Sequence, residues 1–344
     1  MAIANPEQTM RQAVAPGCVR RNVLARLAHG LCALLFLVSA ACRGKTLDDT
    51  LEIAYASEAK GELRDQLGPK SKVIATTVSG QRLLILERLN RWARVRVVQD
   101  AVAKDKPPLE GWMHQRQMVT GKVFGQFQEL AKRSREEPSQ GKGLIRRLAN
   151  MRIEPGRNTQ VFYQLAPDEA VDILGHLTAA REATGEEVRR GITEPIPEDW
   201  LLARASGERA GWILESLAEM TPPMEVSRYR ESQRLRAWFE IYREENQGEF
   251  HPWYLWATIP KLSGAAHDFE EIRVFVWNPA ASRYETAYRE KNLIGFLPIQ
   301  TSLAPGERGV SPEFSFEHVN GLGARVRRSY FMLGRQVRLN KTVN

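Results

Sequence analysis

Cysteine is scarce and confined to one end: the 344-residue chain has three, Cys18, Cys32 and Cys42, and none after that. A fold built beyond Cys42 therefore has no internal disulfide, no thiolate nucleophile and no paired-cysteine metal site, and it must be stable by core burial alone. Histidine offers no more. His114, His176, His251, His267 and His318 lie far apart, without a His-Glu-x-x-His spacing, so each reads as an ordinary surface or core residue. Glycine-rich phosphate loops are missing too. Gly321-Leu322-Gly323 puts Val326 where a dinucleotide fingerprint needs glycine, and Lys70-Ser71 follows Pro69 where a phosphate loop needs glycine. These residues belong to turns. No metal, no cofactor and no catalytic residue is assigned.

Long apolar runs are also absent. The longest, Leu31 to Ala41, has about eleven residues against the roughly 20 that span a bilayer. Arg20, Arg21 and Arg26 precede it and Ser39-Ala40-Ala41-Cys42 closes it, which is the order of a secretory signal. Residues 1–42 are thus expected to be an export segment, with the periplasm or cell envelope as destination. Cys42 is a lipidation candidate that would anchor the chain to a membrane, although Ser39 stands where a lipobox has Leu or Val. The same small residues would serve an ordinary signal peptidase, and Val19 to Leu24 offers a twin-arginine alternative. Residues 1–42 hold four arginines and one glutamate, so removing them lowers the formal charge from +8 to +5. That suits anionic surfaces and is too little to argue for nucleic acid.

The length allows two or three domains. From Leu63 the chain runs through Leu-Arg, the Gly68-Pro69 turn, Lys72-Val73, an apolar strand at Leu83 to Leu86, Trp92 to Val97, and Gly111-Trp112. In Trp92 to Val97 the period is two, with Ala93, Val95 and Val97 on one face and Trp92, Arg94 and Arg96 on the other. This order of signals resembles a bacterial SH3 domain, which implies a small β-barrel at 51–120. Gln99 to Leu109, with Pro107-Pro108, reads as its polar tip. If the resemblance carries over, Trp92 and Trp112 line a groove for an extended ligand; packing over the barrel end with the indole nitrogen bonded to backbone is the other role open to them. Arg88, Arg91, Arg94 and Arg96 form either an anion-gripping cluster or a solvated strand face.

Val123, Phe124, Phe127, Leu130 and Ala131 recur at helical spacing and Pro138 closes the segment, so 121–143 reads as a helical spacer with a hinge at Ser139 to Gly143. The signals then repeat over 144–220: Met151-Arg152, Gly156, Val161, Val171 to Leu174, Trp200 and Gly211-Trp212. Arg64 and Trp92 are 28 positions apart but Arg152 and Trp200 are 48, so an insertion at 177–199, with Pro195 and Pro197, is expected to be a long surface loop. Trp200 and Trp212 join the ligand-binding candidates.

Beyond Pro222-Pro223, residues 224–344 read as a β-rich C-terminal domain with strands at Arg234 to Tyr242, Trp253 to Ile259, Ile272 to Trp277, Arg283 to Tyr288, Glu313 to Val319 and Ala324 to Leu333. A hairpin joins the third to the fourth. The fold class expected is all-β: two SH3-like β-barrels, an antiparallel C-terminal domain and one short helical spacer. In this order of segments the chain is similar to uncharacterised SH3-domain proteins of Acidobacteria-type bacteria, a resemblance that implies no known activity. The expected function is a non-catalytic envelope protein binding peptidoglycan, another envelope polymer or a protein. The alternative is an envelope hydrolase with paired carboxylates in the C-terminal domain, and a third possibility is a structural subunit marked by a broad exposed apolar patch.

Overall fold

Alternating small apolar and charged residues build the first sheet. Its strands are β1 (Glu52–Ala56), β2 (Gly61–Arg64), β3 (Val73–Thr77), β4 (Arg82–Leu89), β5 (Trp92–Val97), β6 (Glu110–His114) and β7 (Met118–Thr120). The computed structural model describes residues 52–57, 61–98, 108–230, 233–261, 264–306 and 309–340, all within the unit Leu51–Asn344. The expected export segment with Cys42 and residues 99–107 of the expected tip lie outside the described residues. On β5, Ala93, Val95 and Val97 point into a core with Leu63, Leu83, Ile85 and Met113, while Trp92, Arg94 and Arg96 face outward. Gly111 is required by a close crossing: a Cβ there would lie 2.7 Å from the Arg64 carbonyl oxygen on the neighbouring strand.

The second copy has the same strand order. β8 (Gly141–Ile145), β9 (Ala149–Arg152), β10 (Val161–Leu165), β11 (Ala170–Arg181), β12 (Ile196–Ala205), β13 (Arg209–Leu214) and β14 (Ala218–Met220) lie in the order β10-β9-β13-β12-β11-β8-β14, against β3-β2-β6-β5-β4-β1-β7 in the first. Even the crossing recurs, since a Cβ on Gly211 would lie 2.8 Å from the Arg152 carbonyl oxygen. Helix α1 (Gly121–Glu136) wedges between the copies. Its Phe124 stacks on Tyr55 of the first at 3.9 Å and meets Phe162 of the second edge-on at 5.3 Å.

Two expectations need correction here. The hinge at Ser139 to Gly143 is largely strand β8, and its glycines serve close packing: a Cβ on Gly141 would lie 2.7 Å from both Met220 and Trp238. Nor is 177–199 a loop. β11 and β12 continue as a ladder from Leu177↔Trp200 to Arg181↔Ile196, and only 182–195 connect them, through α2 (Gly185–Arg189) with a Thr184/Glu187 capping box. Pro197 is tolerated because β13 pairs with β12 only from Trp200 onward, so its missing N–H breaks no ladder bond there.

The C-terminal part is a sandwich of two antiparallel four-stranded sheets. One holds β15 (Arg234–Asn246), β16 (Glu249–Ile259), β17 (Glu271–Asn278) and β18 (Arg283–Glu290); the other holds β19 (Gly295–Gly306), β20 (Gly309–Val319), β21 (Arg325–Leu333) and β22 (Gln336–Leu339). The expected hairpin is present, with Trp277 opposite Tyr284. Strands β19 and β22 escape the sequence pattern, β19 because Pro298 and Pro305 read as breakers. β16 explains the architecture. Trp253, Leu255 and Ala257 enter the sandwich core, while Tyr254 and Trp256 pack with the core of the second copy. Strands buried on both faces read as continuous apolar runs, and Trp253 to Ile259 is such a run.

Gln140 ties the layers together. Fully buried, it accepts the Ile299 N–H through Oε1 at 2.8 Å and donates to the Pro138 carbonyl at 3.1 Å; its own carbonyl accepts the Trp238 N–H. Replacing it with leucine strands the Ile299 N–H away from water. Gln140→Leu is therefore expected to lower unfolding free energy by about 2–3 kcal/mol in denaturant titration.

Candidate functional site

Strand register collects the outward residues of the first copy. Trp92 lies opposite His114, Arg94 opposite Trp112, and Arg96 opposite Glu110, while Arg64 flanks Trp112 from the other side. Trp92 and His114 meet edge-on, with ring centres 5.3 Å apart. They form one wall of a groove of about 310 Å³ whose other wall is Glu62, Arg64 and the turn Gln66 to Gly68. Arg64 is fixed across that turn, donating to Ser71 Oγ at 3.0 Å and pairing with Glu62. Trp92 is only partly buried, so an aromatic surface, a fork of N–H donors and a carboxylate line one open groove.

The neighbouring arginines are not a free basic cluster. Arg94 and Arg96 both bond to Glu110, at 3.0 and 2.9 Å, and Arg88 forks onto Glu52. Opposite charges brought together by register neutralise what looked one-signed in sequence. Trp112 lies outside the groove lining, beside Arg64 and Arg94 on the strand face.

In the second copy the equivalent positions have changed character. Trp200 lies opposite Leu214, as Trp92 lies opposite His114, but it is 2 % exposed and its indole N–H has no hydrogen-bond partner among the described residues. Trp200, expected among the ligand-binding candidates, is a packing residue. Trp212 is half-buried, between Leu202 and Arg152 in register. Arg152 retains the turn-fixing task, donating to the Thr159 carbonyl at 2.5 Å.

Sequence reasoning missed a buried ionic cluster where the second copy meets the sandwich. His176 on β11 sits between two aspartates, with Nε2 3.3 Å from Asp199 on β12 and Nδ1 2.8 Å from Asp268 in the connection before β17. Ionised carboxylates only accept, so between two charged aspartates both ring nitrogens donate and the imidazolium is the form this geometry favours. Asp199 also accepts from Thr178 at 2.8 Å and Arg234 at 2.9 Å, and Arg236 and Arg234 share Glu215. Arg236 reaches it from a bulge in β15. His176, Asp199 and Glu215 converge closely enough to invite a cation, but the two guanidinium groups already hold their carboxylate oxygens. Glu198-Asp199, expected in a loop, lies on a strand with both carboxylates ion-paired. Asp268 is 92 positions from His176, so no sequence spacing announces the cluster; an arginine pair opening an apolar strand, Arg234 and Arg236, is its one trace.

Burial alone would push His176 down, yet the bonds to Asp199 and Asp268 outweigh it and its pKa is raised. Burial likewise opposes ionisation of Asp199, but hydrogen bonds from His176 and Thr178 and the nearby Arg236 charge hold it well below the usual carboxylate range.

No family model and no curated protein matches the chain. Among solved structures it is similar to an NlpC/P60 family protein from Bacillus cereus at 11 % identity and a TM-score of 0.22, over 50 % of this chain and 57 % of that one. The chain thus spans little more than half of that protein. Its similarity to NlpC2 and NlpC1 from Trichomonas vaginalis is at 11 % and 10 % identity, with TM-scores of 0.16 and 0.17, over 85 % of this chain in both cases and 97 % and 92 % of theirs.

Two outcomes follow from the geometry. The His176 clamp stabilises fully below the unfolded histidine value of about 6.5 and is lost as pH rises through the higher folded value. Denaturant midpoints should therefore fall as pH rises from neutral in the wild type and stay flatter in His176→Gln; parallel pH profiles would contradict the doubly donating ring. Trp200→Ala should cost about 3–5 kcal/mol, as for a large core side chain, whereas Trp92→Ala should cost about 1 kcal/mol or less.

Proposed function

We propose that this chain is an exported, non-catalytic envelope protein that binds peptidoglycan, another envelope polymer or a protein partner through its first SH3-like unit, the second serving mainly as scaffold. The observation that carries this is the divergence of the two copies. At one position of the shared strand order, the first keeps Trp92 and His114 on an open groove, and the second buries Trp200. Aromatic-walled grooves with a few fixed polar groups suit extended ligands, because a ring contributes contact area with little loss of side-chain freedom.

Non-catalytic action is supported from the other end of the chain. The hydrolase would need two close, available carboxylates in an open pocket of the C-terminal domain; the interior of the sandwich is filled by Leu255, Phe269, Val274, Phe314, Phe316 and Tyr330, and in the surface cavity lined by Glu244 and Glu313 the Glu244 carboxylate is held by Arg335 and the Trp253 indole N–H. The cell-envelope setting rests on the signal-like order of residues 1–42, with Cys42 as the proposed lipid anchor.

Purified sacculi should retain the mature protein at low salt. Trp92→Ala should weaken retention by about tenfold, as for an aromatic anchor, while Arg94→Ala, whose charge is held by Glu110, should leave it nearly unchanged. Absence of retention at low salt would remove the polymer from the proposal and leave the protein partner.

A further inference from the structure

The second copy has a cavity of its own, beside the place where the first has its groove. Leu214 stands at the position of His114 in the strand register, and from there the β11–β12 extension and β15 enclose a cavity of about 430 Å³. That volume lies in the range of small-molecule sites. Its accessible apolar surface comes from Ile196, Pro197, Leu214 and Ala218, laid over Leu201, Met220 and Leu235 of the core of the second copy. A rigid floor of this kind is already built before any ligand arrives.

Beside the exposed hydroxyl of Ser216, the charged donors left at the cavity come from its arginines. Each lining carboxylate is matched by a cation: Glu198 by Arg157 and Arg181, Glu219 by Arg146 and Arg230, and Asp199 and Glu215 by Arg234 and Arg236. The arginines are less fully engaged. Arg230 gives Nη1 to Glu219, and its Nε and Nη2 have no partner among the described residues; Arg157 holds Glu198 through Nε and Nη2, which leaves Nη1. Both line the cavity and are partly exposed. An occupant that brings acceptors to the arginines and apolar surface to the floor fits this lining.

We infer that this cavity binds a small carboxylate with an apolar body, either a free acid or the C-terminal end of a peptide, with its carboxylate on Arg157 and Arg230 and its apolar part against Ile196, Pro197, Leu214 and Ala218. The site is independent of the Trp92 groove. Guanidinium–carboxylate bonds supply orientation, and the floor supplies the area that would otherwise face water.

Calorimetric titration of the full mature chain with 4-phenylbutyrate, N-acetyl-alanyl-leucine and the amide of each tests this. Saturable binding of either acid, with its amide at least about tenfold weaker, is the expected result for a carboxylate held by arginine. Tighter binding of the dipeptide identifies a peptide end, and tighter binding of phenylbutyrate identifies a free acid; both support the site. Arg230→Gln, a surface change, should weaken the bound acid by about tenfold with an unchanged melting curve, and Trp92→Ala should have no effect. Equal binding of acid and amide, binding untouched by Arg230→Gln, or no binding of either acid would overturn the inference.

Discussion

The sheet β15–β18 has both of its faces buried, and the rest of the described chain is arranged around that constraint. Residues along β16 alternate between two cores, Trp253, Leu255 and Ala257 into the sandwich and Tyr254 and Trp256 toward the second copy. A sheet with this composition cannot face water without exposing tryptophan and tyrosine, so it needs a cover on each side. The second sheet of the sandwich is one cover and the second seven-stranded sheet is the other. The second copy thereby becomes part of the C-terminal structure, joined by Gln140 and the His176 cluster, while the first is attached through the aromatic contacts of α1.

This division accounts for the unequal fate of the repeated tryptophans. Trp92 and Trp200 share one place in one strand order, yet the second copy has lengthened its β11–β12 hairpin and packed against the sandwich, and Trp200 is buried. The same change brought His176 and Asp199 against Asp268, and Asp199 against Arg234 and Arg236. Buried charges are tolerable only when paired, and here three carboxylates face an imidazolium and two guanidinium groups. The cavity above Leu214 lies beside this network, with arginine donors still open at its rim.

Much of the fold was legible because strands announce themselves by period two. Ala93, Val95 and Val97 fell inward as the alternation required, and the second copy was visible from Arg152 and Gly156, which repeat the spacing of Arg64 and Gly68, and from Gly211-Trp212, which repeats the closing Gly111-Trp112. The failures have specific causes. Gly141 and Gly143 looked like a hinge because sequence cannot distinguish a glycine kept for flexibility from one kept for close approach. Pro197 looked like a loop residue because the absence of a ladder partner on one side of its strand is a tertiary fact. Pro298 and Pro305 concealed β19 in the same way.

Local chemistry, then, fixed the all-β class, the helix of the spacer, the repeat and the outward face of β5, since each depends on residues within one or two strand lengths. Which tryptophan stays open, which arginines keep an N–H donor free, and which histidine lies between two aspartates were decided by contacts between segments up to 92 positions apart. Such contacts leave no spacing in the chain, because the bond that selects them forms only after the sheets have packed.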